Sequence, residues 1–430
     1  MIIFLSIFAI SVYFFHLFYW KRRNLPPGPI PYPFVGNMMS VLTSEPPGYE
    51  AFIKWKKQFG SIYTYWLGPF PAVIIADYEL IKETIIKDGD KYTDRFTTAL
   101  TAEYRGGDLY GVIESSGDSW REMRRFTLHT LRDFGMGKNL MEEKIMNEVT
   151  ALLVRLEAQK ELSPQWEIDV AVGSIINNIL FGYRFDEEKQ GEFRELKSLM
   201  DEHMKLIVTF SGGLVMTSPW AGRLPYIKGV KERMFYIRDR LFTFFRQQIE
   251  HRKKTMDYDD DESADLVECF LKQQRKHEEN ENGDQGYYSM KQLENVLMDL
   301  WDAGMETTSN TLSWGLVYVL NDLEVQKKIH DELDFNIKSD RLITLADKKQ
   351  LPYLNATINE IQRLANLLPV NIFRKTTEDV TINGYNLPRG TTVIPQISTV
   401  MYDEKLFPSP HSFKPERFLN EDGSLRKSKN

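Results

Sequence analysis

The sequence predicts a mainly α protein with a smaller β part, preceded by one N-terminal membrane helix. The first observation behind this prediction is an uncharged apolar run over residues 1–20. The second is a helical spacing of apolar residues through most of 117–335, and the third is a short β-rich stretch on either side of that region. With 430 residues, 42% of them hydrophobic, the chain has enough apolar material for a large core.

Composition excludes several functional classes. The net charge of −7 argues against a nucleic-acid-binding protein, which is usually basic. The single cysteine, Cys269, excludes an intrachain disulfide framework and a multi-cysteine zinc site. Because apolar residues surround Cys269 in a helical pattern, we expect a buried structural thiol.

The apolar run at residues 1–20 has the length of a membrane anchor, since a helix of that length spans ~30 Å. A cleaved signal peptide would carry positive charge before the run and a small-residue cleavage site after it. Here Lys21, Arg22 and Arg23 follow the run, which favours a retained anchor with the remaining chain in the cytosol. Residues 21–37 contain this basic stop and a stiff proline-rich strut. We assign residues 38–430 to one main domain.

Within this domain the elements alternate in a readable order. Residues 61–77 contain two strand-like runs, and residues 78–92 follow as a helix. The stretches 251–263 and 276–288 are highly charged and poor in apolar residues, so we expect mobile loops there. The second β-rich stretch is 379–395, where "NG" and "PRG" are turn signals.

One long helix contains an unusual segment, "AGMETTSNTL" at residues 303–312. Ser289 and Gln292 form an S-x-x-Q capping box at its start, and apolar or small residues then recur with helical spacing for about 28 residues. The small or hydroxylated residues predicted on its inward stripe are Gly304, Thr307, Thr308 and Thr311. This composition favours either a polar notch that holds or protonates a small molecule, or tight packing against another helix. The helix alone does not separate the two.

Other motifs add to this segment. Glu360 and Arg363 lie three residues apart in "NEIQRL", and "FKPERF" follows later in the chain. Trp120 and Arg124 are one turn apart in "SWREMRRF". Together with "AGMETTS" and the proline strut, these motifs resemble a microsomal cytochrome P450, a haem-thiolate monooxygenase of the animal drug- and fatty-acid-metabolising branch. The resemblance extends over the whole chain, and five motifs in this order are specific although each alone is weak.

The resemblance implies a chemistry for the long helix. Glu306 and Thr307 would relay protons to dioxygen, since an acid–alcohol pair can deliver them to a buried apolar site. Ala303 and Gly304 would form the oxygen groove, where dioxygen and substrate approach the helix backbone. The substrate would be a lipophilic small molecule of the xenobiotic, fatty acid or steroid class.

The same resemblance implies roles for three further sets of residues. Those expected to bind the haem propionates are Trp120, Arg124, Arg374 and Arg95. Those expected to form a buried ion network that organises the core are Glu360, Arg363 and Arg417. Those expected to dock an acidic flavoprotein reductase are Arg121, Arg125 and Arg132. A solvated helix face is the alternative for the last set.

Cofactor, partners and location follow from the resemblance as well. It implies haem, electrons from NADPH through the reductase, and cytochrome b5 as a second candidate electron donor. It implies the endoplasmic reticulum membrane, with the catalytic domain facing the cytosol and with no nucleic-acid partner.

The family's axial thiolate is expected shortly after the "PERF" segment, in a glycine-rich loop, and no cysteine follows that segment here. We therefore expect a fold that is incomplete at its C-terminus, a destabilised body, and no productive oxygen activation by this chain even where some haem is retained. The alternative function is a catalytically silent membrane-anchored protein, or one that binds an apolar ligand or a partner.

Overall fold

The computed structural model describes residues 1–45, 48–135, 139–158, 161, 163–218, 220–260, 262–280, 285–338 and 341–426. In this part of the chain helices dominate and strands are short and few, which confirms the predicted fold class. Residues 261 and 281–284, which belong to the two predicted loops, lie outside the described residues.

The helices are α1 (Ile2–Phe18), α2 (Met38–Leu42), α3 (Glu50–Phe59), α4 (Tyr78–Ile81), α5 (Ala99–Tyr104), α6 (Gly117–Asp133), α7 (Asn139–Ala158), α8 (Pro164–Phe181), α9 (Gln190–Ile207), α10 (Phe210–Thr217), α11 (Pro225–Thr255), α12 (Leu266–Asn280), α13 (Met290–Asn321), α14 (Leu323–Asn336), α15 (Pro352–Ala365) and α16 (Ser398–Met401). The strands are β1 (Ile62–Leu67), β2 (Phe70–Ile75), β3 (Asp94–Arg95), β4 (Arg374–Lys375), β5 (Val380–Ile382), β6 (Tyr385–Leu387) and β7 (Thr392–Pro395).

The chain divides into two units. Unit 1 comprises Met1–Arg121, Met200–Arg240 and Leu368–Leu406. Unit 2 comprises Glu122–Leu199, Leu241–Leu367 and Phe407–Asn430. Each unit is therefore assembled from three separate stretches of sequence.

Unit 1 contains the main sheet, whose strand order is β1-β2-β7-β4-β3. β1 and β2 form an antiparallel hairpin, and β7 joins β2 in parallel. Alternate side chains of the sheet pack into two different hydrophobic cores, because successive residues of a strand point to opposite faces. Tyr63 and Ile74 pack with α3 on one face, while Ile62 and Val73 pack on the other. At the far edge β4 pairs with β3, which brings Arg374 opposite Arg95.

Unit 2 is organised around α13, which packs against α8, α14 and α15. The predicted start of this helix is confirmed, because the Ser289 hydroxyl accepts a hydrogen bond from the backbone N–H of Gln292 at 3.2 Å. The helix then continues for 32 residues. It is the element that positions Glu306 and Thr307.

The two predicted mobile loops are partly helical, so that prediction was wrong for their first residues. α11 continues to Thr255 and α12 continues to Asn280, each entering the charged stretch by five residues. Lys, Arg and Glu are good helix formers, and pairs one turn apart stabilise an exposed helix end. Arg275 and Glu279 form such a pair at 2.8 Å.

The N-terminal helix α1 meets the length and apolarity of a membrane span. Among the described helices it is the one that does so. The side chains described along it are exposed, as a lipid-facing helix requires.

Candidate active site

The segment 303–312 lies in the middle of α13, but its buried stripe differs from the predicted one. Trp301, Met305 and Ser309 are buried, whereas Thr308 is exposed and Thr307 is half-buried. The small residues therefore lie beside the buried stripe. The prediction that Thr308 faces inward was wrong because the buried stripe lies about 100° around the helix from the predicted one, roughly the rotation of one residue.

Gly304 makes room for a neighbouring helix. A Cβ atom at this position would lie 2.7 Å from Cδ1 of Ile176 on α8, so the Ile176 side chain would have to shift to admit a larger residue. Close packing of α8 against α13 thus accounts for this glycine, in agreement with the packing alternative. The role of Gly304 and the exposed Ala303 in an oxygen groove stays a prediction.

Thr307 is hydrogen-bonded within its own helix. Its Oγ1 donates to the Ala303 carbonyl oxygen at 2.6 Å, and Thr311 Oγ1 donates to the Thr307 carbonyl at 2.7 Å. Such back-bonding satisfies the hydroxyl proton while the oxygen can still accept one. The Thr307 hydroxyl can therefore take part in a proton chain by exchanging its hydrogen bond.

Glu306, the neighbour of Thr307, is held by side chains from α9 and α13. Lys197 Nζ of α9 lies 2.9 Å from Glu306 Oε1, and Asn310 Nδ2 donates to Glu306 Oε2 at 3.2 Å. The side chain of Lys197 is only 10% exposed and that of Glu306 only 15%. Both oxygens of the carboxylate are thus engaged by donors in a nearly dry environment.

Lys197 also approaches Asp169 of α8, at 3.7 Å between Nζ and Oδ2. Ser309 donates to Asp169, and Gln165 Nε2 donates to Asp169 Oδ1 at 2.9 Å. The sequence did not predict Lys197 or Asp169 as site residues. A signal existed, since Asp169 interrupts the apolar run "IDVAVG", but no sequence rule joins it to Lys197 or Glu306.

In unit 1 the structure brings together three of the four predicted propionate ligands. We call Arg95, Trp120 and Arg374 the cation cluster. Arg95 and Arg374 are cross-strand partners, and the Arg95 guanidinium lies 5.7 Å from the centroid of the Trp120 ring. Arg124, the fourth, is exposed one turn further along α6 and belongs to unit 2.

Backbone carbonyls orient the cation cluster. Arg95 Nε donates to the Ile113 carbonyl oxygen at 2.9 Å, and its Nη1 donates to that of Thr93 at 2.8 Å. Arg374 Nη1 donates to the Tyr92 carbonyl oxygen at 3.3 Å. Bonds to neutral backbone carbonyls thus orient both guanidinium groups, each of which carries a permanent positive charge.

The structure also brings together Glu360, Arg363 and Arg417. Arg363 donates to both carboxylate oxygens of Glu360, at 2.7 and 2.8 Å, and Arg417 Nε donates to Oε1 at 3.0 Å. The backbone N–H of Lys414 adds another donor at 3.0 Å. The Glu360 side chain is fully buried, so this network ties α15 to the segment around residue 415.

The arginines of α6 have partners on their own helix. Arg121 pairs with Asp118 and Arg125 pairs with Glu122, each three residues apart. Arg132 is exposed in the last turn. The predicted basic patch is therefore partly neutralised within α6.

Cys269 lies on α12 and is half-buried, slightly more exposed than the sequence predicts. Burial is the main reason why the pKa of its thiol is raised. A raised pKa favours the protonated thiol, which agrees with a side chain that packs against its apolar neighbours on α12.

The chemistry of the cation cluster fits one part of the cofactor that the resemblance implies. Haem carries two propionate carboxylates, and guanidinium and indole N–H groups are strong donors to carboxylates. The described residues thus fit the propionate side of a haem. The resemblance places the axial cysteine after the "PERF" segment, whereas Cys269 precedes that segment on α12.

Comparison with known proteins points to one family. The family model described as "Cytochrome P450" matches residues 26–430. Cytochrome P450 2G1 of Oryctolagus cuniculus is 32% identical over 422 residues, which are 95% of this chain and 82% of the relative. Cytochrome P450 2H2 of Gallus gallus is 34% identical over 410 residues, 95% of this chain and 81% of the relative. Cytochrome P450 2E1 of Rattus norvegicus is 32% identical over 415 residues, which are 95% of this chain and 82% of the relative.

Proposed function

Since this chain belongs to the cytochrome P450 family, in its animal family-2 branch, we propose that it inserts one oxygen atom of dioxygen into a lipophilic small molecule. The family consists of haem-dependent monooxygenases that act on xenobiotics or fatty acids. The observation that carries the proposal is the Glu306–Thr307 pair on α13, an acid held in a nearly dry site beside an alcohol.

Two groups of residues, one in each unit, have separate tasks in this proposal. Arg95, Trp120 and Arg374 bind the propionates of the haem through charge-assisted hydrogen bonds. Haem, when bound, supplies the redox-active iron. Formation of water from the second oxygen atom consumes protons, which Glu306 and Thr307 would hold at their side-chain oxygens and pass on.

Protein surfaces support the proposed partners and location. Lys21, Arg22 and Arg23 favour a catalytic domain in the cytosol, on the endoplasmic reticulum membrane. Phe34 of the proline strut stacks on Tyr13 of α1 with 5.7 Å between ring centroids, and lies 5.9 Å from the ring of Trp220. These exposed aromatic side chains suit a membrane interface. Electrons would come from a flavoprotein reductase docked on α6, with cytochrome b5 as a further donor.

Incorporation of isotopic oxygen tests the proposal. The full 430-residue chain is expressed in microsomes, supplied with NADPH and a flavoprotein reductase, and incubated with a panel of lipophilic substrates under ¹⁸O₂. We expect a product that carries one ¹⁸O atom, which would overrule the sequence-based expectation of no productive oxygen activation, and we expect E306Q to reduce its yield. Bound haem and consumed NADPH without labelled product would overturn the proposal in favour of the catalytically silent alternative.

A further inference from the structure

Three helices of unit 2 meet at a group of buried polar side chains, which we call the Lys197 cluster. It consists of Gln165 and Asp169 from α8, Lys197 from α9, and Glu306 and Ser309 from α13. One ammonium group faces two carboxylates, at 2.9 Å from Glu306 Oε1 and 3.7 Å from Asp169 Oδ2. The nearer carboxylate is the one that the proposed function uses.

Neutral donors in and next to the Lys197 cluster are divided between the two carboxylates. Asp169 accepts from Ser309 and Gln165, whereas Glu306 accepts from Asn310. Asp169 therefore keeps two hydrogen bonds whether or not the ammonium group is near it. Glu306 keeps only the longer 3.2 Å bond from Asn310 if Lys197 moves away.

Burial makes it costly to leave any charge of the Lys197 cluster without a partner. The side chains of Asp169 and Lys197 are 6% and 10% exposed, and removal of one partner from a buried ion pair leaves an uncompensated charge. A lysine with two acceptors within reach can turn from one to the other without becoming an unpaired charge. The Lys197 cluster thus permits two arrangements of one ammonium group at moderate cost.

We propose that Lys197 is a positioning residue for Glu306, and that Asp169 is the second acceptor that retains the ammonium group when Glu306 is released. In one arrangement Lys197 holds Glu306 Oε1 toward α9. In the other it turns to Asp169, and Oε1 becomes able to exchange a proton with the Thr307 side of α13. The inference rests on the proposed function, because it gives Lys197 a role only through the relay carboxylate.

A merely structural ion pair is the competing explanation, and unit 2 offers a matched control. Lys272 and Glu268 of α12 form another buried lysine–glutamate pair, at 2.8 Å with 11% and 8% exposure. K272M removes an ammonium group of similar burial that has no contact with the Lys197 cluster among the described interactions. The loss of stability in K272M therefore measures the effect of breaking a buried ion pair that has no link to Glu306.

The first measurement needs no turnover. Denaturant unfolding of the full chain in detergent is compared for the parent, K197M, E306Q and K197M/E306Q. We expect K197M and E306Q each to lower the midpoint, and the double variant to be clearly more stable than the sum of the single effects. Additive effects would overturn the inference, because Lys197 would then not act through Glu306. This result stands whether or not the chain proves to be a monooxygenase.

The second measurement separates positioning from structure. With haem, NADPH and reductase present, we expect K197M to lower the product formed per NADPH consumed at least ~10-fold, as loss of a positioned acid–base group does. K197R should restore most of this coupling, and K197M/E306Q should be no worse than E306Q. K272M should leave the coupling unchanged. An unchanged product yield in K197M, beside an active parent, would overturn the inference while leaving the proposed function intact.

Discussion

Arg95 and Arg374 lie directly opposite each other across the antiparallel pair β3–β4, so that two guanidinium groups share one edge of the sheet. Like charges directly opposite are destabilising in a sheet. The stacking of Arg95 over Trp120 and its bonds to backbone carbonyls keep it in place. Such an arrangement becomes favourable when an anion binds between the cations, which is the task that we assign to it.

Replacement of either arginine should weaken haem binding. R95Q and R374Q each remove a charged hydrogen-bond donor worth about 1.5–3 kcal/mol, which corresponds to a roughly ten- to hundredfold loss of affinity. Titration of the full chain with haem, followed by absorbance, measures this loss. R389Q at an exposed arginine of the β6–β7 turn is the control. An equal effect of all three substitutions would show that only net charge matters.

The buried ion network around Glu360 should dominate the stability of its region. E360Q leaves Arg363 and Arg417 facing a neutral amide, and breaking a buried pair costs about 3–5 kcal/mol of unfolding free energy. Denaturant unfolding measures the loss. The control is K328M, since Lys328 and Glu416 pair nearby but are 41% and 49% exposed. Exposed pairs contribute less than about 1 kcal/mol, so comparable losses in both variants would refute the assigned role.

His203 should make the folded protein less stable in mild acid. Burial, with a contribution from the nearby Arg105 charge, lowers the pKa of His203 to about 4 from its ordinary 6.5. Between these pH values the unfolded chain binds a proton that the folded chain does not, so stability falls as the pH falls. We expect a loss of about 2 kcal/mol by pH 5 from this group.

Unfolding at pH 7 and pH 5 measures the effect of His203. H203N also removes the hydrogen bond between the Tyr104 hydroxyl and Nε2, so the pH difference within each variant is compared, and not absolute stability. H203N should lose the pH-dependent part, whereas the same substitution at the exposed His330 should not. An identical pH dependence in the parent and H203N would contradict the assignment.

The α6 arginines should control the rate of electron delivery. R125E/R132E places negative charge where an acidic reductase would dock, so we expect haem reduction to slow about tenfold or more at low ionic strength. The difference should shrink at high salt because screening weakens surface charge effects. Stopped-flow reduction by the reductase measures it, with R194E on α9 as the control. A slowing that does not depend on salt would argue against docking at this face.

The fold was predictable where a local rule exists. The hydrogen bond from Gln292 to Ser289 follows directly from the S-x-x-Q pattern, and the hairpin of β1 and β2 follows from two strand-like runs joined by Gly68 and Pro69. The helical ends at Thr255 and Asn280 do not follow from composition, because a highly charged stretch is also typical of a loop. Charge alone does not end a helix whose residues are good helix formers.

The site was predictable only in part. Glu306 and Thr307 stand out within one segment, and the resemblance supplied their role. The partner of Glu306, Lys197, lies 109 residues away in sequence, and a lone lysine on a helix face is usually solvated. Gly304 is predictable as an unusual residue, but its packing against Ile176 is visible only in the structure. Contacts of this kind arise from tertiary structure and leave no local pattern.

The central claim is that Arg95, Trp120 and Arg374 bind the propionate carboxylates of haem. A haem whose propionates are esterified tests this claim most directly. The full chain and R374Q are titrated with haem and with haem dimethyl ester, which has the same ring and iron but no propionate charge. We predict that the parent binds free haem at least ~10-fold more tightly than the ester, and that R374Q loses most of this preference. Equal affinity of the parent for haem and its ester would contradict the claim.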